Sequence, residues 1–281
     1  MSAYTTISPD KLSRLIGTAH MPALVDVRTD EDFAADPRLI PGAIRRSHQD
    51  AGDWSGKFSG NSAIVVCMRG AKLAQGTAAW LRHANVAAET LEGGFEGWKE
   101  AKLPLVNASK LPPRDAQGRT VWVTRARPKI DRIACPWLIR RFVDASALFL
   151  FVPASEVHDV GERFHATPFD VEGEFFSHRG DRCSFDTMLD EFGLESEPLK
   201  RLALIVRGAD TARMDLAPEC AGLLAASLGY SRMHREDLPQ LEHAMGLYDA
   251  LYRWARDAVE ETHNWPATKA KPAKAPEPSR A

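Results

Sequence analysis

Residues 63–72 constrain this chain more than any other stretch. Ala63-Ile64-Val65-Val66 is a short apolar, β-branched run of the kind that forms a buried strand. Beyond the turn Cys67-Met68-Arg69-Gly70-Ala71-Lys72, the residues Leu73, Thr77, Trp80 and Leu81 recur at helical spacing. A cysteine thus stands where a strand crosses into a helix. Such a crossing leaves backbone N–H groups without intrahelical acceptors and adds the positive end of the helix dipole, so negative charge on sulfur is stabilised there. Gly70 relaxes the backbone for a tight loop, and Arg69 and Lys72 add attraction for a small anion.

Taken alone, a cysteine ending an apolar strand is a small buried hydrophobe. The surrounding motifs argue for more. Leu24-Val25-Asp26-Val27-Arg28, Ile40-Pro41-Gly42-Ala43, the Cys67 loop and Gly93-Gly94-Phe95-Glu96-Gly97-Trp98 follow one another in an order that resembles the rhodanese family over about the first 106 residues. One departure is Leu39, where that family commonly has histidine. The resemblance implies a parallel sheet flanked by helices and a six-residue loop in which Cys67 carries a persulfide. Sulfur transfer of this kind needs no cofactor; its partners are a small anionic sulfur donor and a thiol or cyanide acceptor. Met68, Arg69, Gly70, Ala71 and Lys72 would form the persulfide-binding loop. Asp26 and Arg28 would support it, either by pairing to hold the framing loops or by a direct part in the chemistry. The related loop of dual-specificity phosphatases is one residue longer and ends in an arginine that clamps phosphate. Here Val66 precedes the cysteine and Leu73 stands where that arginine would be, so phosphoester hydrolysis is disfavoured.

At 281 residues, with 44% hydrophobic and 26% charged residues, the chain is long enough for two globular domains. A net charge of −2 gives no reason to expect nucleic acid or an anionic membrane as a partner. Met1 to Arg14 lacks a cationic start followed by an apolar run, and no stretch approaches the ~18 apolar residues of a membrane span, so a cytoplasmic location is expected. The four cysteines, Cys67, Cys135, Cys183 and Cys220, include no C-x-x-C pair and fit reduced thiols.

Strands alternating with helices over 1–106 predict an α/β domain, with ligands at the carboxyl ends of its strands. Residues 107–119 run through Asn, Ser, Lys, Pro-Pro, Arg, Asp and Gly and read as a linker to a second domain over 120–266, mostly helical and of α+β type, with a disordered tail over 267–281. The second domain opens with Val121-Trp122-Val123, a predicted strand, and a basic stretch from Arg125 to Phe142 in which Asp131 is the one acid. The segment Asp131-Arg132-Ile133-Ala134 leading to Trp137-Leu138-Ile139-Arg140-Arg141-Phe142, with Gly173 to Asp186, resembles the C-terminal domain of chromate resistance protein B from about Trp122 to Trp265. That resemblance implies a role in chromate or oxyanion stress. Regulatory members carry a different, DNA-suited N-terminal region, which argues against transcriptional control here; the alternative to the sulfurtransferase reading is a chromate-responsive sensor or transcriptional regulator with a non-catalytic first domain.

Guanidinium forks match oxyanion edges, making Arg132, Arg140 and Arg141 candidate oxyanion ligands, against the simpler reading of a solvated helix face. Residues 165–186 hold many metal-competent donors. On a straight strand Glu174 and His178 would lie ~13 Å apart, too far for one ion. His178, Asp181 and Cys183 straddle the Arg179-Gly180 turn and are the candidate metal ligands, weighed against a satisfied histidine and a buried structural cysteine. Further helices are expected over 186–192, 199–207 and 219–228, the last ending at Gly229. An apolar stripe from Leu238 to Val259 marks a long helix that would pack in the core or serve a homodimer.

Overall fold

The computed structural model describes residues 5–261; the expected tail and the last residues of the second domain lie outside that range. The first domain runs β1 (Thr6–Ile7), α1 (Pro9–Leu15), β2 (Ala23–Asp26), α2 (Asp30–Ala35), β3 (Arg38–Leu39), β4 (Ala43–Arg45), α3 (Ala51–Trp54), β5 (Ser62–Val66), α4 (Lys72–His83), β6 (Ala87–Leu91), α5 (Gly94–Glu100) and β7 (Val106–Asn107). Five strands form a parallel sheet in the order β1-β6-β5-β2-β4. The apolar run 63–66 is its central strand β5, and alternation sends Ile64 and Val66 into one apolar cluster while Ala63, Val65 and Cys67 enter the other. Ser8 caps α1 by accepting from the Lys11 N–H, and Pro9 fits its first turn.

The second domain continues with β8 (Val121–Arg125), α6 (Asp131–Phe142), β9 (Leu148–Val152), α7 (Val157–Phe164), β10 (Thr167–Pro168), α8 (Ser184–Phe192), α9 (Glu197–Asp210), α10 (Cys220–Met233) and α11 (Asp237–Asp257). Its small sheet, β10-β8-β9, is also parallel. Trp122 and Trp137 are fully buried, and Trp122 meets Phe169, Phe176 and Phe192 edge-on. The stripe of α11 packs inward, with Leu241, Ala244, Met245, Tyr248, Tyr252 and Ala255 buried.

Three expectations change. Helix α10 passes through Gly229 to Met233, with Ser227 and Ser231 buried on either side; the cost of one helical glycine, about 1 kcal/mol, is small against that packing. Residues 174–178 are not a strand: Phe176 makes an isolated bridge to Phe169, and Glu174 turns to His158 at 3.4 Å. The segment 107–119, composed like a linker, is pinned. Its first residue, Asn107, pairs with Arg38 through β7 and β3, and Arg114 forms a 3.0 Å ion pair with Asp144.

One apolar cluster also spans both domains, joining Leu12, Phe95 and Trp98 to Trp122, Trp137, Phe142 and Tyr252. Gly17, at φ +77°, lies where a Cβ would be 2.5 Å from Phe142 and 2.7 Å from Tyr252. The Gly42 N–H donates to the Phe142 carbonyl at 2.6 Å. No described helix is long and apolar enough to cross a membrane.

Candidate active site

Cys67 follows the last residue of β5, at the carboxyl edge of the parallel sheet, and is 5% exposed. The chain turns over Met68 to Ala71 and enters α4 at Lys72. Among the described residues, the backbone N–H groups of Met68 through Ala74 find no protein acceptor; the first hydrogen bond after the turn is Gln75 N–H to the Ala71 carbonyl at 3.0 Å. Seven successive N–H groups are thus without a protein acceptor, three of them, those of Lys72, Leu73 and Ala74, the orphan donors at the start of a 12-residue helix.

The loop is seated on the glycine pair before α5. Phe95 N–H donates to the Cys67 carbonyl at 2.9 Å and Glu96 N–H to the Met68 carbonyl at 3.0 Å. Gly70 and Gly94 both take positive φ, +68° and +60°. A Cβ on Gly94 would collide with the Cys67 carbonyl and the Gly70 amide and lie 2.8 Å from the Arg69 amide, so glycine is required by space as well as by conformation. Arg69 and Lys72 are exposed, and the nearest carboxylate to Arg69 is Glu96 at 3.7 Å.

Asp26 and Arg28 pair with each other beneath the adjoining loops. Arg28 is fully buried in its side chain, its Nε and Nη2 donating to the Asp26 carboxylate at 2.9 and 2.6 Å and its other edge to the Asp36 and Arg38 carbonyls at 3.0 and 2.7 Å. The guanidinium also stacks 3.7 Å from the Phe95 ring, on the helix that supports the Cys67 loop. This is a brace between β2, β3 and α5. Beside it a cavity of about 380 Å³ opens at the carboxyl ends of β2 and β4, lined by Arg28, Arg45, Arg46 and His48 among others. Strand β2 is the neighbour of β5, so the cavity lies one strand from the cysteine.

The second domain does not gather the expected oxyanion ligands. Arg132 and Arg140 are eight residues apart on α6, about 12 Å along its axis. Arg140 meets Glu242 at 2.6 Å, and Arg141 grips Asp249 with two bonds of 2.8 Å, both toward α11. Arg132 lies 3.3 Å from Asp170 and caps the Arg125 and Ala126 carbonyls. Each of these arginines is engaged by protein acceptors.

The expected metal trio is also replaced. Cys183 is fully buried and donates its thiol to Asp186 at 3.3 Å; burial first, then the Asp131 and Asp186 charges, push its pKa far up, so it keeps its proton. Asp181 is exposed and does not join His178. His178 instead turns its Nε2 to Asp210 at 3.2 Å, Asp170 at 3.4 Å and Asp131 at 3.5 Å. Hydrogen bonding to Asp131, Asp170 and Asp210 pushes the His178 pKa up to about 12, while burial lifts Asp131 to about 6. The sequence signal for this group was Asp131, the lone acid in the basic stretch.

Comparison with known proteins follows these two regions. The family model for rhodanese-like domains matches residues 8–101, and that for the ChrB C-terminal domain matches 122–255. Thiosulfate sulfurtransferase GlpE of Actinobacillus succinogenes is 30% identical over 115 residues, covering 40% of this chain and 98% of that protein. Protein ChrB of Cupriavidus metallidurans is 37% identical over 149 residues, covering 52% of this chain and 44% of its own length, so less than half of that protein is represented here. Among solved structures, a rhodanese-related protein of Thermoplasma volcanium is 20% identical with a TM-score of 0.32, covering 37% of this chain and 98% of its own. A rhodanese-like domain protein of Staphylococcus aureus is 26% identical with a TM-score of 0.31, covering 34% and 90%. The chain belongs to the rhodanese family through its first domain, which is fused to a ChrB C-terminal domain.

Proposed function

We propose that the first domain is a sulfurtransferase working through a Cys67 persulfide. In the first half-reaction the Cys67 thiolate attacks the sulfane sulfur of a thiosulfate-like donor. A new S–S bond forms on Cys67, the donor's S–S bond breaks, and sulfite leaves with the electron pair. In the second, cyanide or a thiolate attacks the terminal sulfur and the Cys67 thiolate departs. The observation that carries this reading is the run of unpartnered amides from Met68 to Ala74, which supplies donors for the anionic sulfur without further proton chemistry. Arg69 and Lys72 draw the anionic donor to the mouth, while Asp26 and Arg28 hold the loops that frame it.

The fused ChrB C-terminal domain supports a role in chromate or oxyanion stress, with the two modules coupled through the apolar cluster they share. Purified full-length protein given thiosulfate and cyanide should produce thiocyanate, and Cys67→Ser should abolish turnover without altering the fold. Absence of turnover with intact, reduced Cys67, together with salt-sensitive DNA binding released by chromate, would instead support a sensor with a non-catalytic first domain.

A further inference from the structure

Asp131 opens α6, Asp170 follows β10, His178 stands in the loop before α8, and Asp210 ends α9. One donor atom from each of Asp131, Asp170 and His178 lies within 4.8 Å of the others. Asp131 is fully buried, yet its Oδ1 has no hydrogen-bond partner among the described residues, an arrangement that costs free energy unless something else satisfies it. No arginine or lysine pairs with Asp131 among the described residues; Arg125 and Arg132 both reach Asp170 instead.

The distances fit a cation better than a hydrogen bond. A single Nε2–H serves one acceptor well at about 2.9 Å, whereas here three carboxylates stand 3.2–3.5 Å from the same nitrogen. A tetrahedral cation with ligand bonds of about 2.1 Å separates its ligand atoms by about 3.4 Å. The oxygens nearest the His178 Nε2, Asp131 Oδ2 and Asp170 Oδ1, are both held in place by Ser184. Asp131 Oδ2 accepts from the Ser184 N–H at 2.6 Å, and Asp170 accepts from Ser184 Oγ at 2.9 Å and from Arg125 at 3.1 Å. His178 is 40% exposed in its side chain and Asp210 20%, which leaves an entry path.

We propose that Asp131, Asp170 and His178 bind one first-row divalent cation of the manganese or zinc class, with Asp210 as the third carboxylate facing it. Imidazole and carboxylate without thiolate favour such ions over copper(I) or an iron–sulfur cluster. The cation would tie α6 and α9 to the loop over 169–184, independently of sulfur transfer.

Full-length protein stripped by chelator and dialysed should take up one Mn²⁺ per chain, with pulsed electron paramagnetic resonance showing coupling to an imidazole nitrogen. His178→Gln should abolish that coupling and weaken binding at least tenfold, and Asp131→Asn should weaken it similarly, with Zn²⁺ competing for the same site. Cys67→Ser and Asp181→Asn should leave uptake unchanged, separating this site from the thiol. Failure of both Mn²⁺ and Zn²⁺ to bind at one per chain would overturn the proposal. So would uptake undiminished, and without nitrogen coupling, in a folded His178→Gln protein; that half-exposed position keeps the test decisive even where Asp131→Asn does not fold.

Discussion

Replacing Gly94 by alanine probes the seat of the Cys67 loop. At φ +60° an L-residue costs about 1–2 kcal/mol relative to glycine. The added methyl also meets three backbone atoms, the Cys67 carbonyl and the Gly70 and Arg69 amides, none of which is the far end of a flexible side chain. Forced overpacking of that kind costs about 1–3 kcal/mol. The stiffer unfolded chain returns about 0.4–1 kcal/mol, so the net loss is about 1–4.6 kcal/mol, or roughly 2–9 °C in melting temperature for one unfolding unit of this size. Gly60→Ala is the matched control: its φ is +80° but a Cβ there meets nothing within 4 Å, and about 1 kcal/mol is expected. Thermal unfolding of both variants, with thiosulfate-to-cyanide turnover on the folded fraction, separates conformational strain from close approach. Gly94→Ala should lose more stability than the control and lose turnover even well below its melting temperature, because the amide donors are displaced. Equal melting temperatures for the two variants, with turnover intact in both, would refute the reasoning.

Two further outcomes follow from the packing. Asp144 accepts from the Thr120 N–H and hydroxyl and from Ser146, and although burial alone would raise its pKa, Arg114 and these donors hold it below the usual carboxylate value. Its folded pKa is depressed, so the stability it contributes is present above about pH 4 and lost as pH falls through the folded pKa; the urea midpoint of wild type should exceed that of Asp144→Asn at pH 6, and the gap should narrow as pH falls below about 4. Because one apolar cluster spans both domains, calorimetry should show a single unfolding transition, and two resolved transitions would contradict that shared core.

The sequence made the first domain legible because its signals are local. A β-branched run, a cysteine turn and a helical stripe lie within about twenty residues, and all three act through backbone conformation near Cys67. The Asp26–Arg28 brace was open to two readings because the acceptors that complete it are backbone carbonyls, those of Asp36 at the end of α2 and Arg38 on β3, which side-chain identity does not announce. In the second domain the donors at 131, 170, 178 and 210 are brought together only by the meeting of α6, α9 and the loop between β10 and α8, which periodicity does not encode. The adjacent residues Asp181 and Cys183 drew the expectation instead, yet the turn sends one to solvent and the other into the core. Composition likewise marked 107–119 as a linker while Arg114 and Asn107 anchor it.

The most direct measurement is mass spectrometry of the Cys67 peptide after incubation with thiosulfate. The expected result is a gain of one sulfur on Cys67, discharged by cyanide and absent in Cys67→Ser. An unchanged mass on a reduced and folded protein would contradict the account.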